Sequence, residues 1–121
     1  MIVDIWALKD IAEIEFRDLV DMVLITDINQ LRIILREGSF IDVWFSLKLK
    51  DRYSLHWERK MIDGTIYRHD NAPHKNWQGI RTFPKHFHDG SEENVIESNL
   101  PDEPQKALRE FLKFVRHRIR G

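Results

Sequence analysis

Short runs of apolar residues alternate with polar ones between Val20 and Asp70, and turn-forming residues separate the runs. Five of these runs are rich in β-branched and aromatic residues: VDMVLITDI, LRIILRE, FIDVWFSLKLK, YSLHWERKM and TIYRHD. This pattern is typical of β-strands that bury one face. Gly38-Ser39 and Asp63-Gly64 are the clearest turns between them. Because no helical pattern lies between the runs, we expect neighbouring strands to be antiparallel.

The two ends of the chain have helical spacing instead. Near the start, apolar residues recur close to the helical repeat at Ile5, Leu8, Ile11 or Ala12, and Ile14. Near the end, Asp102 or Glu103 can cap a helix that has Pro104 in its first turn. The apolar stripe of this second helix consists of Leu108, Phe111, Leu112, Val115 and Ile119. Its other side is typical of a solvated face and carries Lys106, Arg109, Lys113, Arg116 and Arg120.

These elements predict an α+β fold: an antiparallel meander sheet of about six strands, an N-terminal helix, and a C-terminal amphipathic helix packed on the sheet. The 121 residues are 42% apolar and 32% charged, which is typical of a single soluble domain over residues 1–121. No apolar run approaches the ~20 residues of a membrane helix, and the start lacks the regions of a signal peptide. We therefore expect a cytoplasmic protein without a membrane partner.

The chemistry available to the chain is limited by its composition. The chain has no cysteine, so any metal must bind to His, Asp or Glu side chains. The net charge is −1, yet residues 51–88 hold four acids, seven bases and five histidines. A weakly acidic chain does not resemble a nonspecific nucleic-acid coat, whose affinity depends on many contacts from Lys and Arg to phosphate. A local site for an anion in the middle of the chain remains compatible with these numbers.

A hairpin at Asp63-Gly64 is predicted to carry part of that middle region. A two-residue turn there pairs Ile62 with Thr65 and His56 with Asn71. Since side chains alternate along strands, one face then carries His56, Glu58, Lys60, Tyr67, His69 and Asn71. The opposite, core face carries Leu55, Trp57, Met61 and Ile66, with Arg59, Arg68 and Asp70 toward its edge. An Asp70 between two arginines suits a structural salt bridge as well as a catalytic carboxylate.

The residues after the hairpin predict a turn and another strand. Asn71 to His74 reads as a turn, because Asn favours turns and Pro73 fixes its φ. The segment TFPKHFH is predicted to be a short edge strand, since Pro84 cannot donate a ladder hydrogen bond. Alternation then directs His86 and His88 to one face, and Phe83 and Phe87 to the other. The segment NVIES after Asp89-Gly90 is also strand-like.

Arg68 to Gly90, RHDNAPHKNWQGIRTFPKHFHDG, holds four of the six histidines, and three interpretations of them remain open. A His-x-His pair on a strand is a familiar geometry for zinc, with His74 or Asp70 completing the site. Alternatively, histidines can supply the acid and base that cleave RNA, while cations stabilise charge on the phosphate. The cations would be Arg68, Arg81 and Lys85, with Tyr53 or Trp57 as stacking surfaces for bases. In the third interpretation these histidines only bond the backbone or face solvent.

One combination of motifs, DN-x-PH followed by FP-x-H-x-H, resembles the TumE-like toxin family of toxin–antitoxin modules. The resemblance extends from about Val20 to Ile119. It is carried by Tyr53, His56, Trp57, Arg68, Asp70, Asn71, Pro73, His74, Phe83, Pro84, His86 and His88. It implies a toxin that arrests growth when its antitoxin is lost, by attacking or blocking RNA or translation.

Together these observations predict the toxin component of a toxin–antitoxin module, acting as a metal-independent ribonuclease without a cofactor. The predicted catalytic residues are His74, His86, His88 and Asp70. The predicted substrate-binding residues are Arg68, Asn71, Arg81, Lys85, Tyr53 and Trp57. The alternatives are a hydrolase or binding module with a divalent metal such as Zn on Asp70, His74, His86 and His88, or a noncatalytic interaction domain. The predicted partners are a cognate antitoxin and RNA, and a homodimer is left open.

Overall fold

A computed structural model describes residues 2–121 and contains one seven-stranded antiparallel sheet whose strands follow chain order. The strands are β1 Val20–Asp27, β2 Gln30–Leu35, β3 Phe40–Phe45, β4 Tyr53–Arg59, β5 Thr65–Asp70, β6 His86–Gly90 and β7 Val95–Glu97. The α-helices are α1 Ile5–Asp10, α2 Lys60–Asp63 and α3 Pro104–Arg120, with a π-helical turn at Ile11–Glu15 and a 3₁₀ turn at Lys75–Trp77. The predicted meander and α+β class are confirmed, with seven strands instead of about six.

The two terminal helical segments cover one face of the sheet. Glu103 caps α3 by accepting hydrogen bonds from the backbone N–H groups of Gln105 and Lys106, and Pro104 begins the helix, as predicted. Four of the five predicted stripe residues of α3 are buried in one apolar cluster with Leu8 of α1 and Trp57 of β4, and Ile119 packs against this cluster. The basic side of α3 pairs with acids near the N-terminus, since Arg116 lies 2.7 Å from Asp18. No helix within residues 2–121 has the length and apolar character needed to cross a membrane.

The connection between β4 and β5 differs from the prediction and reverses the faces of β5. Lys60–Asp63 forms a helical turn that ends at Gly64, whose φ is +80°. As a result His56 pairs with Arg68, three residues before the predicted partner Asn71. A shift by an odd number of residues exchanges the two faces of a strand. The predicted register is therefore wrong: Tyr67 and His69 face the helices, whereas Arg68 and Asp70 lie on the opposite face with His56.

For β6, the predicted alternation of side chains is confirmed, but the predicted place of the strand at the edge of the sheet is wrong. Phe87 lies in the core, whereas His86 and His88 point to the opposite face. However, β6 is not an edge strand, because β7 pairs with it along its other side. Gly90, with a φ of +92°, helps the chain reverse so that Val95 pairs with His88. Pro84 lies just before β6, so its missing N–H interrupts no ladder.

Candidate active site

Two neighbouring strands bring the predicted chemical groups together on the face of the sheet opposite the helices. Asp70 of β5 is the direct partner of His86 of β6, and Arg68 is the partner of His88. Directly paired residues of antiparallel strands share a face, so these four side chains lie side by side. The loop of residues 71–85 returns over this face with His74 and Trp77. The resulting pocket has a volume of about 280 Å³ and is lined by Arg68, Asp70, Ala72, His74, Trp77, His86, His88 and Glu92.

The Asp70 carboxylate is the centre of the pocket. Its Oδ1 lies 3.0 Å from Nε2 of His86, and its Oδ2 lies 3.8 Å from Nε2 of His88. One potential metal-ligand atom from each of the three side chains, a ring nitrogen or a carboxylate oxygen, lies within 4.8 Å of the other two. The carboxylate is also held from behind, because Oδ1 accepts from the N–H of Ala72 at 3.0 Å and Oδ2 accepts from Nε of Arg68 at 3.1 Å. These contacts fix the orientation of Asp70 before anything binds.

Backbone carbonyl groups determine which ring nitrogen of His86 and of His88 carries a proton. Nδ1 of His86 lies 2.9 Å from the carbonyl oxygen of Pro84, and Nδ1 of His88 lies 2.9 Å from that of Glu92. A carbonyl oxygen only accepts, so Nδ1 carries the proton in both rings. Burial lowers the pKa of His88 below its ordinary value, and nearby Arg68 adds to this, although the bond to Glu92 opposes it. His88 is therefore neutral at pH 7, with the lone pair of Nε2 directed at Asp70.

The positive charge of Arg68 is already paired with carboxylates of the protein. Its guanidinium binds both oxygens of Glu92, at 2.7 and 2.8 Å, in addition to Asp70. It also donates to Nδ1 of His56 at 3.2 Å. The bonds from Arg68 lower the pKa of Glu92 to about 2, so Glu92 is ionised at neutral pH. Any phosphate that bound to Arg68 would have to compete with a bidentate carboxylate.

The loop contributes one predicted residue and one that the sequence analysis missed. His74 is exposed, and its Nδ1 accepts from the N–H of Asn76 at 3.1 Å, so the neutral ring carries its proton on Nε2. The Trp77 ring lies 5.9 Å from that of His74, 6.0 Å from that of His86 and 5.9 Å from that of His88, measured between centroids. Trp77 is only partly buried. A tryptophan between the polar residues Asn76 and Gln78 was the available indication that this loop contributes an aromatic surface.

The two aromatic residues predicted to stack on RNA bases lie on the core face instead. Trp57 is 0% exposed and donates its indole N–H to Ser39 at 2.8 Å. Tyr53 is 5% exposed, and burial raises its pKa to about 12. Burial therefore rules out base stacking on these rings, and Trp77 provides the accessible aromatic surface of the pocket.

Three further predicted substrate-binding residues lie outside the pocket. Arg81 is exposed and pairs with Glu97 at 2.8 Å. Lys85 points away from the pocket and pairs with Asp102 at 3.0 Å. Asn71 holds the start of the loop, because its side chain accepts from the N–H of Tyr53 and donates to the carbonyl of Asp51. These residues position segments of the chain around the site.

His69 is a fourth histidine of the same stretch; it is partly buried and packs against the core. Its ring stacks on Phe87 with 4.2 Å between centroids, and Nδ1 lies 2.7 Å from the hydroxyl of Ser98. Burial lowers its pKa to about 3, so the ring is neutral. His69 lies on the opposite face of β5 from Asp70 and makes no part of the pocket.

Comparison with known proteins identifies the family of this chain. The family model described as Toxin TumE matches residues 11–119, which is nearly the whole sequence. Comparisons with curated proteins and with solved structures gave no match. The match includes every strand and almost all of α3, and therefore every residue that lines the pocket. The chain belongs to the TumE toxin family, as its DN-x-PH and FP-x-H-x-H motifs indicated.

Proposed function

We propose that this toxin cleaves RNA in the pocket formed by β5, β6 and the loop of residues 71–85. The observation that carries the proposal is the cluster of Asp70, His86 and His88, whose donor atoms lie within 4.8 Å of one another in a solvent-accessible pocket. Membership of a toxin family implies an antitoxin partner in general. RNA as the substrate is the additional step, and the chemistry of the pocket supports it.

Cleavage of RNA by attack of the ribose 2′-hydroxyl on the adjacent phosphate has three catalytic requirements. The hydroxyl has to lose a proton, charge that develops on the phosphate has to be stabilised, and the leaving oxygen has to be protonated. The Asp70–His86–His88 cluster can activate the hydroxyl, either by accepting its proton on a histidine or by holding a cation that acidifies it. His74 lines the pocket and carries an N–H donor on Nε2, which can bind a phosphate oxygen and give its proton to the leaving oxygen, while the group that took the proton of the 2′-hydroxyl releases it to solvent.

Trp77 gives the pocket a surface suited to a nucleotide. Its ring lies against both buried histidines of the cluster and is partly exposed. Single-stranded RNA is commonly held by stacking an unpaired base on an aromatic ring, at about 1–3 kcal/mol per base. Because this ring lies about 6 Å from the rings of His86 and His88, a base stacked on it would bring the adjoining phosphate toward the cluster. We therefore expect single-stranded RNA to be preferred to a paired duplex.

The first experiment measures toxicity and RNA integrity together in cells with inducible expression. Asp70→Asn keeps the size of the side chain, and His86→Gln keeps a polar group at a buried position. Both are expected to abolish growth arrest and RNA cleavage. His117→Ala is the matched control, because His117 is exposed on α3 away from the pocket, and it should remain as toxic as the parent. Soluble yield and circular dichroism show whether each variant folds.

A second experiment identifies the reaction with purified protein. A single-stranded RNA oligonucleotide should be cut to products ending in a 2′,3′-cyclic phosphate, whereas DNA of the same sequence, which lacks the 2′-hydroxyl, should stay intact. Folded Asp70→Asn protein that cut RNA as fast as the parent would contradict the proposal. Growth arrest by the parent with intact RNA would favour the noncatalytic interaction domain instead.

A further inference from the structure

We infer that Asp70, His86 and His88 form a binding site for a divalent transition-metal ion, and that the ion it fits best is Zn²⁺. Catalytic use of this ion rests on the proposed function, whereas its binding does not. The inference favours the metal-binding alternative of the sequence analysis over metal-independent cleavage. It also reduces the predicted ligand set from four residues to three.

The hydrogen bonds of the two rings provide the first argument. Each Nδ1 donates to a backbone carbonyl, from Pro84 for His86 and from Glu92 for His88. The Nε2 atoms, which have no backbone partner, both face the Asp70 carboxylate, so each ring and the carboxylate can direct one ligand atom at a single ion. A bond from the other ring nitrogen to a carbonyl is also the usual contact that orients a metal-bound histidine.

The distances provide the second argument. Zinc bonds of about 2.0–2.2 Å in a tetrahedral site place neighbouring ligand atoms about 3.4 Å apart. The separations here are measured to different carboxylate oxygens: 3.0 Å from Oδ1 of Asp70 to Nε2 of His86 and 3.8 Å from Oδ2 to Nε2 of His88. One ligand atom from each of the three residues lies within 4.8 Å of the other two, which is close to the required spacing. Three protein ligands leave a fourth position open, which is the arrangement of catalytic rather than structural zinc sites. The three ligand residues line the pocket, so a substrate oxygen in the pocket could occupy that fourth position.

The surroundings of the carboxylate are those of a metal ligand. Ala72 donates a backbone N–H to Oδ1 and Arg68 donates Nε to Oδ2, so both oxygens are held in place while lone pairs remain available. His74 does not belong to the cluster, although the sequence analysis included it among the alternative ligands. Its Nδ1 is occupied by the N–H of Asn76. His74 is therefore available to contact the substrate.

The balance of charge provides the third argument. Arg68 is matched by two carboxylates, Asp70 and Glu92, so these three side chains sum to one negative charge. Such a pocket repels a phosphate. Two cations predicted to bind phosphate, Arg81 and Lys85, pair with other acids outside the pocket. A divalent ion on Asp70 reverses the sign of the charge and makes the pocket attractive to RNA.

The test is a measurement of metal binding on protein purified without an affinity tag or chelator. Elemental analysis of the parent should find about one transition-metal ion per chain, as expected for one built site. After removal of metal, Zn²⁺ should bind again and raise the unfolding temperature, because it binds only the folded state. Co²⁺ should give the visible absorption of a tetrahedral site. Mg²⁺, which prefers oxygen ligands, should not replace them.

Variants locate the ion and separate this inference from the proposed function. Asp70→Asn, His86→Gln and His88→Gln should each weaken Zn²⁺ binding by about a hundredfold or more. His74→Gln is the matched control and should bind as the parent does. A folded parent that neither contains metal nor binds Zn²⁺ would overturn the inference and indicate a charged His86–Asp70 pair. Unchanged binding in all three ligand variants would also overturn it. Metal binding without RNA cleavage would refute only the proposed function.

Discussion

Histidines lie on both faces of strands β5 and β6, but their surroundings on the two faces differ. On the core face, His69 stacks on Phe87 and bonds the hydroxyl of Ser98. On the pocket face, His86 and His88 are 2% and 4% exposed, more deeply buried than His69, which is only partly buried, yet their Nε2 atoms face Asp70. Deep burial therefore does not mark a histidine as structural. The distinction lies in the contacts of the ring nitrogens: His69 bonds a neutral hydroxyl through Nδ1, whereas Nε2 of His86 and Nε2 of His88 face an ionisable carboxylate.

The largest expected effect comes from the core face of β6. Phe87→Ala removes a buried ring that contacts His69, Tyr67 and Phe114, and it should lower the free energy of unfolding by about 3–5 kcal/mol. Denaturant unfolding followed by circular dichroism measures this loss. Any loss of toxicity should follow the loss of folded protein. A variant that unfolded like the parent but had lost its RNA cleavage would place Phe87 in the site and break the comparison.

The next effect comes from the neighbouring position on the other face of the same strand. His88→Gln should lower the rate of RNA cleavage by about a hundredfold, within the range for removal of an acid–base group or of a ligand. Unfolding measured in the presence of a chelator should change by no more than about 1 kcal/mol. A large loss of stability with full cleavage activity would show that His88 belongs with His69 as a structural histidine.

A smaller effect tests the turn that decides which residues of β5 face the pocket. Gly64→Ala forces an alanine into a φ of +80°, with no atom within 4 Å of the new Cβ, so the cost is conformational and about 1 kcal/mol. Gly79→Ala is the matched control, since it also has free space around the Cβ but no positive φ. Comparison of the two unfolding free energies isolates the effect of the turn. Equal values would show that Gly64 does not constrain it.

The smallest effect should come from a surface pair remote from both faces. Arg116→Ala removes the ion pair between α3 and Asp18 and should lower the free energy of unfolding by about 0.5 kcal/mol, because the pair is screened by solvent. Added salt should reduce the difference between parent and variant. RNA cleavage should be unchanged. Lower cleavage activity in this variant would show that the basic side of α3 contacts the substrate.

Features that depend on local periodicity were predictable from the sequence. The alternation of His86, Phe87 and His88 was confirmed because a strand has a fixed period of two. The cap and apolar stripe of α3 were also confirmed, since both depend on neighbouring residues. The predicted face of Arg68 and Asp70 was wrong, because the face depends on the length of the turn that precedes these residues. Asp63-Gly64 looks like a two-residue turn, whereas Lys60–Asp63 forms a helical turn and Gly64 ends it.

Features that depend on the path of a loop were not predictable. Trp77 reaches the two histidines only because residues 71–85 fold back over the sheet, and no periodic pattern specifies that path. Glu92 is one exposed acid in a turn, and only the folded arrangement places it on Arg68. The positions of Arg81 and Lys85 were not predictable for the same reason. Both were expected to contact phosphate, but each pairs outside the pocket with an acid distant in sequence. The sequence therefore indicated the chemical groups better than the surfaces around them.

The pairing of Asp70 with His86 has a consequence for how such a toxin can be altered. The two residues are held by the β5–β6 ladder, although residues 71–85 separate them along the chain. The ladder thus fixes the relative positions of Asp70 and His86, while Ala72 and Pro84, near the two ends of the loop, hold their side chains. If the pocket cleaves RNA as proposed, exchange of residues 75–82 alone for those of another family member should change which RNA segments enter the pocket and leave the reaction itself intact. The loop would then serve as an interchangeable specificity module for engineering.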